Sequence, residues 1–147
     1  MTSQDAYKFI IKGLGKPWVG EQANWHLFNE ECIKQIPSDS GIYLMRFEKI
    51  ARVFGSSDLY YIGISKNLKT RLRTHWKGNN YKYAFPIVTE LYKKNKIEVV
   101  WIEADSEIAE KAEVKCLVEF FKKHLELPAG NSNIRNYNKY FTQEESC

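Results

Sequence analysis

The sequence predicts an α+β fold: a three-stranded sheet, antiparallel or mixed, flanked by helices in the order β-β-α-α-β-α, behind an N-terminal helical extension. Three observations carry this. "GIYLMRF" and "DLYYIGIS" are short, rich in β-branched and aromatic residues, and separated by turn-forming residues. "LKTRLRTHW" repeats Leu68, Leu72 and Trp76 every four positions, the stripe of an amphipathic helix. A third β-rich run, "KIEVVWIEA", precedes a long helical pattern.

In chain order, residues 5–12 read as a short helix ended around Gly13 and Gly15, and residues 29–35 as a second helix stopped by Pro37. The first two strands read as an antiparallel hairpin with a long connection and a Gly-Ser-Ser-Asp turn. Asn67 is placed to cap the "LKTRLRTHW" helix. A further helix is expected over residues 85–94. Asp105 or Ser106 opens the last helix, which runs to about His124 and is closed by Pro128 and Gly130. The expected organisation is an extension over 1–37, a catalytic-type domain over 38–134 and a tail over 135–147.

At 147 residues, with 44% hydrophobic and 27% charged content, the chain has enough apolar material for one globular domain. Lysine and arginine exceed the acids by 22 to 18, a mild excess that permits a nucleic-acid partner without requiring one. The excess is local. Between Lys66 and Lys82 stand Lys66, Lys69, Arg71, Arg73 and Lys77, with no acidic residue among them. Three widely spaced cysteines form neither a disulfide framework nor a zinc motif. No signal peptide or membrane-length apolar run is visible, so a cytosolic protein is expected.

Two helices bring chemistry-bearing residues together. Arg71 and His75 are four apart and stack on one face at the border of the apolar stripe, while Arg73 points away. In the last helix Ala109, Val114, Cys116, Leu117, Val118, Phe120, Phe121 and Leu125 form a broad apolar arc. Glu119 falls on the lysine-rich side. Glu113 falls between Leu117 and Phe120, inside the arc, where a carboxylate needs a partner or a cation.

These residues complete a recognisable signature. With Gly41-Ile42-Tyr43 and Tyr61-Ile62-Gly63 intact and in order, followed by a Lys-x-Leu-x-x-Arg run from Lys66 to Arg71, the chain resembles the GIY-YIG nuclease superfamily. That superfamily includes DNA excision-repair nucleases, homing endonucleases and restriction enzymes. The resemblance covers roughly residues 38–133. By it, Tyr43 and Tyr61 are the paired catalytic tyrosines, Arg71 the essential arginine, His75 a position held by His or Tyr, Glu113 the metal-binding glutamate and Asn131 the closing asparagine. Glu119 and Asn133 are the respective alternatives.

The resemblance implies a metal-dependent endonuclease acting on DNA, with one Mg²⁺ or Mn²⁺ held by Glu113 and waters. Arg71 would stabilise the charged transition state. Tyr43 would help to orient or deprotonate the attacking water, with His75 relaying the proton. Asn131 would orient groups near the metal. Lys66, Lys69, Arg73 and Lys77 would take backbone phosphates. Specificity would come from the extension, a homodimer or a partner protein. The alternative is a catalytically inactive nucleic-acid-binding module on the same fold.

Overall fold

A computed structural model describes residues 1–16, 24–77, 96–131 and 133–141. The helix expected over 85–94 lies outside the described residues. Elements appear in the order α1 (Ser3–Gly13), β1 (His26–Leu27), α2 (Glu30–Gln35), β2 (Gly41–Ala51), β3 (Ser56–Ser65), α3 (Leu68–Lys77), β4 (Glu98–Glu103), α4 (Ser106–His124) and α5 (Tyr137–Tyr140). Among the described residues no helix is long and apolar enough to cross a membrane.

The sheet has four strands in the order β1-β4-β2-β3, not three, and every pairing is antiparallel. The added strand is β1, two residues paired with Val99 and Glu98. A two-residue strand is too short to show alternation, so the sequence gives no sign of it. The long connection expected between the first two strands is instead strand. β2 runs to Ala51 and β3 begins at Ser56, with register shifts between Met45 and Arg46 and between Arg46 and Ile50. Gly55 turns the chain at φ 72°, a left-handed value suited to glycine.

Alternation along β2 divides the core. Ile42 and Leu44 face α1 and α4, packing with Ala6, Ile10, Ile62, Ala112, Leu117 and Phe120. Tyr43 and Met45 face α2 and α3, packing with Phe28, Cys32, Ile33, Leu68 and Leu72. The described residues of the extension, 1–16 and 24–37, therefore feed both layers. Helix α1 starts with a Thr2–Asp5 capping box and is fastened to β3 by the Ser3 amide and hydroxyl, which donate to the two Asp58 oxygens at 2.7 Å each.

Two helices match their start signals. Asn67 Oδ1 accepts from the Thr70 amide at 3.0 Å, and Asp105 accepts from the Glu107 amide at 3.1 Å. Phe121 and Leu125 depart from the apolar arc, being 45% and 51% exposed. Leu125 stands just past α4 as its left-handed C-cap, and Phe121 borders a groove near the end of the helix with Val118, Leu127 and Tyr137. β3 is an edge strand, and this position makes the site.

Candidate active site

An edge strand presents unpaired backbone groups that must be satisfied or covered. On β3 they are met by the loop after α4. The Gly130 amide donates to the Tyr60 carbonyl at 2.7 Å. Asn131 Oδ1 accepts from the Ile62 amide at 3.0 Å, and Asn131 Nδ2 donates to the Ile62 carbonyl at 2.9 Å. Both ends of one side-chain amide are thus used as a strand residue would use its backbone. Beside this seam opens a cleft of about 370 Å³, lined by Tyr61, Arg71, Glu113, Asn131, Asn133 and Arg135 among others. Arg71 comes from α3 on one side of the sheet and Glu113 from α4 on the other.

Behind the cleft Tyr43, Tyr61 and His75 form a three-ring cluster. The tyrosine rings stack at 5.8 Å, and the imidazole stands edge-on to them at 5.6 and 5.5 Å. A Cβ on Gly63 would come within 2.5 Å of the Tyr43 ring and 2.6 Å of the Tyr61 ring. The last residue of the second triplet is glycine because two aromatic rings occupy the space of a side chain.

The two tyrosines are not equivalent. Tyr43 is 0% exposed, and its hydroxyl lies 2.7 Å from His75 Nε2. Burial first, and then Tyr61, push its proton affinity well above the ordinary phenol range against the pull of Arg71. It does not line the cleft, so the role of contacting an attacking water does not suit it. Tyr61 does line the cleft.

His75 is 2% exposed rather than emerging at the helix border. Burial, then the charge of Arg71, lower its pKa to about 3, so the imidazole is neutral. The space between α3 and the sheet is filled by the Tyr43 ring, and the imidazole is drawn in to pair with its hydroxyl.

Arg71 is half-buried. Burial opposes its charge, but its charge and hydrogen-bond interactions with Tyr43 and Tyr61 outweigh this, and its affinity for the proton rises. It is a permanent cation at the cleft wall.

Glu113 is buried, at 8% exposure. Burial raises its pKa to about 7, with Arg135 pulling it down and Glu110 pushing it up. Glu119 pairs with Lys123 at 3.9 Å and lies outside the cleft, so Glu113 is the acid the fold delivers. Among the described residues no group of three His, Cys, Asp or Glu side chains gathers. One carboxylate opening on a cleft with room for many waters fits a hard divalent cation that keeps most of its waters.

Both polar atoms of the Asn131 side chain bond to Ile62, which leaves one N–H and one oxygen lone pair of this cleft-lining residue for a further partner. Asn133 is exposed and lines the cleft. Lys66, Lys69, Arg73 and Lys77 do not line it. Lys69, Arg73 and Lys77 border a second groove of about 420 Å³ between α2 and α3, together with Lys34 and Trp76. Lys66 lies by the start of α4. Among the lining residues outside the sequence-predicted set are Gly130, whose role depends on β3 being an edge, and Arg135. Arg135 belongs to no periodic pattern, and the only sign of it is a lone cation four residues after Asn131.

The model of one protein family, described as the GIY-YIG catalytic domain, matches residues 39–125. Two solved structures are similar to this chain: point mutants of the GIY-YIG N-terminal endonuclease domain of UvrC from Thermotoga maritima, each bound to its catalytic divalent cation. Identity is 20% and 21%, each match covers 70% of this chain and 93% of the other, and the TM-score is 0.41 in both cases. No curated protein matches the sequence.

Proposed function

The chain belongs to the GIY-YIG family, and from that premise we propose that it is a metal-dependent endonuclease that hydrolyses phosphodiester bonds in DNA. The observation that carries the reading is the buried Glu113 carboxylate sharing one cleft with the Arg71 guanidinium and the Tyr61 ring.

Glu113 is the residue to hold Mg²⁺ or Mn²⁺ with one carboxylate, water completing the coordination. When bound, the cation supplies positive charge against the charge that builds on the phosphate and the leaving oxygen. Arg71 binds non-bridging phosphate oxygens with its planar donor fork and stabilises them as they gain charge. Tyr61 orients the attacking water from the cleft wall. Tyr43 acts one layer behind: with His75 it fixes the ring stack that sets the position of Tyr61. His75, neutral with a pKa of about 3, shares a hydrogen bond with the Tyr43 hydroxyl rather than taking its proton, and meets the cleft only through that stack.

Lys69, Arg73 and Lys77 sit on the far side of α3 from Arg71. A duplex laid across α3 would meet them with backbone phosphates, a sequence-independent contact. Specificity then falls to a homodimer or a partner protein. The buried free thiols of Cys32 and Cys116 accord with a reducing, cytosolic setting.

The test is nicking of supercoiled plasmid in Mg²⁺ or Mn²⁺ by wild type, Glu113→Ala and Glu119→Ala. Cutting by wild type and Glu119→Ala but not by Glu113→Ala supports the reading. Loss on Glu119→Ala alone would move the metal-binding role along the helix. Salt-sensitive DNA binding with no cutting by any folded variant would instead favour the inactive binding module.

A further inference from the structure

Arg135 lies outside the stretch that matches the family, yet it lines the cleft with Arg71 and Glu113. The chain segment that carries it is pinned at both ends. Ahead of it, Asn131 grips Ile62 and the Gly130 amide holds Tyr60, both on β3. Behind it, Asn136 turns the backbone through a left-handed conformation, φ 61°, into α5. There Lys139 Nζ and the Tyr140 hydroxyl both donate to Glu110 Oε1, at 2.9 and 2.6 Å. Glu110 is on α4, three residues before Glu113, so the segment is fastened to the helix that carries the buried acid. Asn and Tyr anchors at either end hold Arg135 at the mouth of the cleft.

Its guanidinium acts on the Glu113 carboxylate through charge, and among the described residues no hydrogen bond or ion pair holds it. Its donors are therefore open to another acceptor. A purely structural arginine would be spent on the residues around it. Arg71 and Arg135 together outweigh the single acid in the cleft, and they come from opposite sides of the sheet: one from α3, the other from the segment packed on α4. A phosphodiester carries one negative charge and two non-bridging oxygens, which suits two planar donor forks approaching from different directions.

We propose that Arg135 is a second phosphate-binding arginine of this cleft, held in place by the segment tied to Ile62 and Glu110, and that it grips the same phosphodiester as Arg71. This rests on the nuclease reading for its effect on cutting. Its effect on binding does not require that reading.

The experiment measures both. Binding of a fluorescein-labelled DNA duplex is followed by anisotropy in EDTA at several salt concentrations, and single-turnover cutting of the same duplex is followed in Mn²⁺. Arg135→Ala should weaken metal-free binding about fivefold and make its salt dependence shallower by about one. Cutting should slow by more than the loss in binding, about tenfold or beyond. Arg135→Lys should recover binding in part and cutting less, because an ammonium lacks the fork. The thermal midpoint should stay close to that of wild type, since the side chain is exposed. Lys139→Ala with Tyr140→Phe frees one anchor without touching Arg135 and should move both readouts in the same direction by less. Binding and cutting within twofold of wild type in Arg135→Ala would overturn the proposal. If wild type binds but cuts nothing, and Arg135→Ala still binds less, the phosphate role stands and the nuclease reading falls. If wild type binds no nucleic acid, both fall.

Discussion

Asn131 holds Ile62 by both ends of its side-chain amide, giving the edge strand β3 the pairing that a neighbouring strand would otherwise give it. This seam closes one side of the cleft. It also explains why an asparagine, with an acceptor atom and a donor atom at fixed separation, stands at this position: an ionised carboxylate only accepts, and a hydroxyl has a single polar atom.

Asn131→Asp replaces the donor facing the Ile62 carbonyl with a second acceptor. We expect a loss of about 1–3 kcal/mol in stability, the usual penalty for leaving such a group unpaired. Urea unfolding would measure it, and amide exchange at Ile62 should speed up with it. Unchanged exchange at Ile62 would show that the seam is not held in solution.

The tyrosines should separate stability from turnover. Tyr43→Phe removes the hydroxyl that pairs with Nε2 of a buried imidazole and is expected to lower stability by about 1–3 kcal/mol. Tyr61→Phe should leave unfolding close to wild type while slowing cutting by about a hundredfold, as loss of a proton-handling or water-orienting group does. Paired denaturation curves and single-turnover rates decide it. The reverse pattern would place the water on Tyr43.

Glu113 makes stability depend on pH in a definite direction. Its folded pKa of about 7 is above the ordinary 4.5, so the folded state holds the proton more tightly than the unfolded one. The stabilisation is fully present below about pH 4.5 and is lost as pH rises through 7, at about 1.4 kcal/mol for each tenfold difference in proton affinity. Glu113→Gln should therefore gain stability relative to wild type between pH 5 and pH 8. Adding Mg²⁺ or Mn²⁺ at pH 8 should raise the wild-type melting temperature and leave that of Glu113→Gln unmoved.

Gly63→Ala tests the packing behind the second triplet. The added methyl meets both tyrosine rings at distances that real Cβ atoms do not adopt, so the stack must spread. A loss of about 1–3 kcal/mol is expected, as for other overpacked cores, with cutting slowed because Tyr61 moves. Urea unfolding together with near-UV circular dichroism of the tyrosines would measure both effects. Wild-type values in both would mean that the rings have room to yield.

Much of this was legible along the chain. Asn67 and Asp105 are capping residues next to their helices, and Glu113 falls within an apolar arc because a helix brings residues three and four apart onto one face. β2 and the second half of β3 are dense in β-branched and aromatic residues. Such signals are local: each depends on neighbours within a few positions, and the chain carries them whatever the rest of it does. The family signature added residues that spacing alone does not join, Tyr43 to Tyr61 and both to Arg71.

Tertiary structure decided what those residues can do. Only the sheet order makes β3 an edge, and so gives Asn131 and Gly130 their work. Only the packing of α3 on the sheet buries Tyr43 with His75 and leaves Tyr61 at the cleft. Arg135, 22 positions beyond Glu113, enters the site because two anchors fold its segment back over α4. The reason is physical. A residue's exposure and charge environment are set by groups distant in sequence, and it is these that separate two tyrosines of one motif into a buried support and a wall of the cleft.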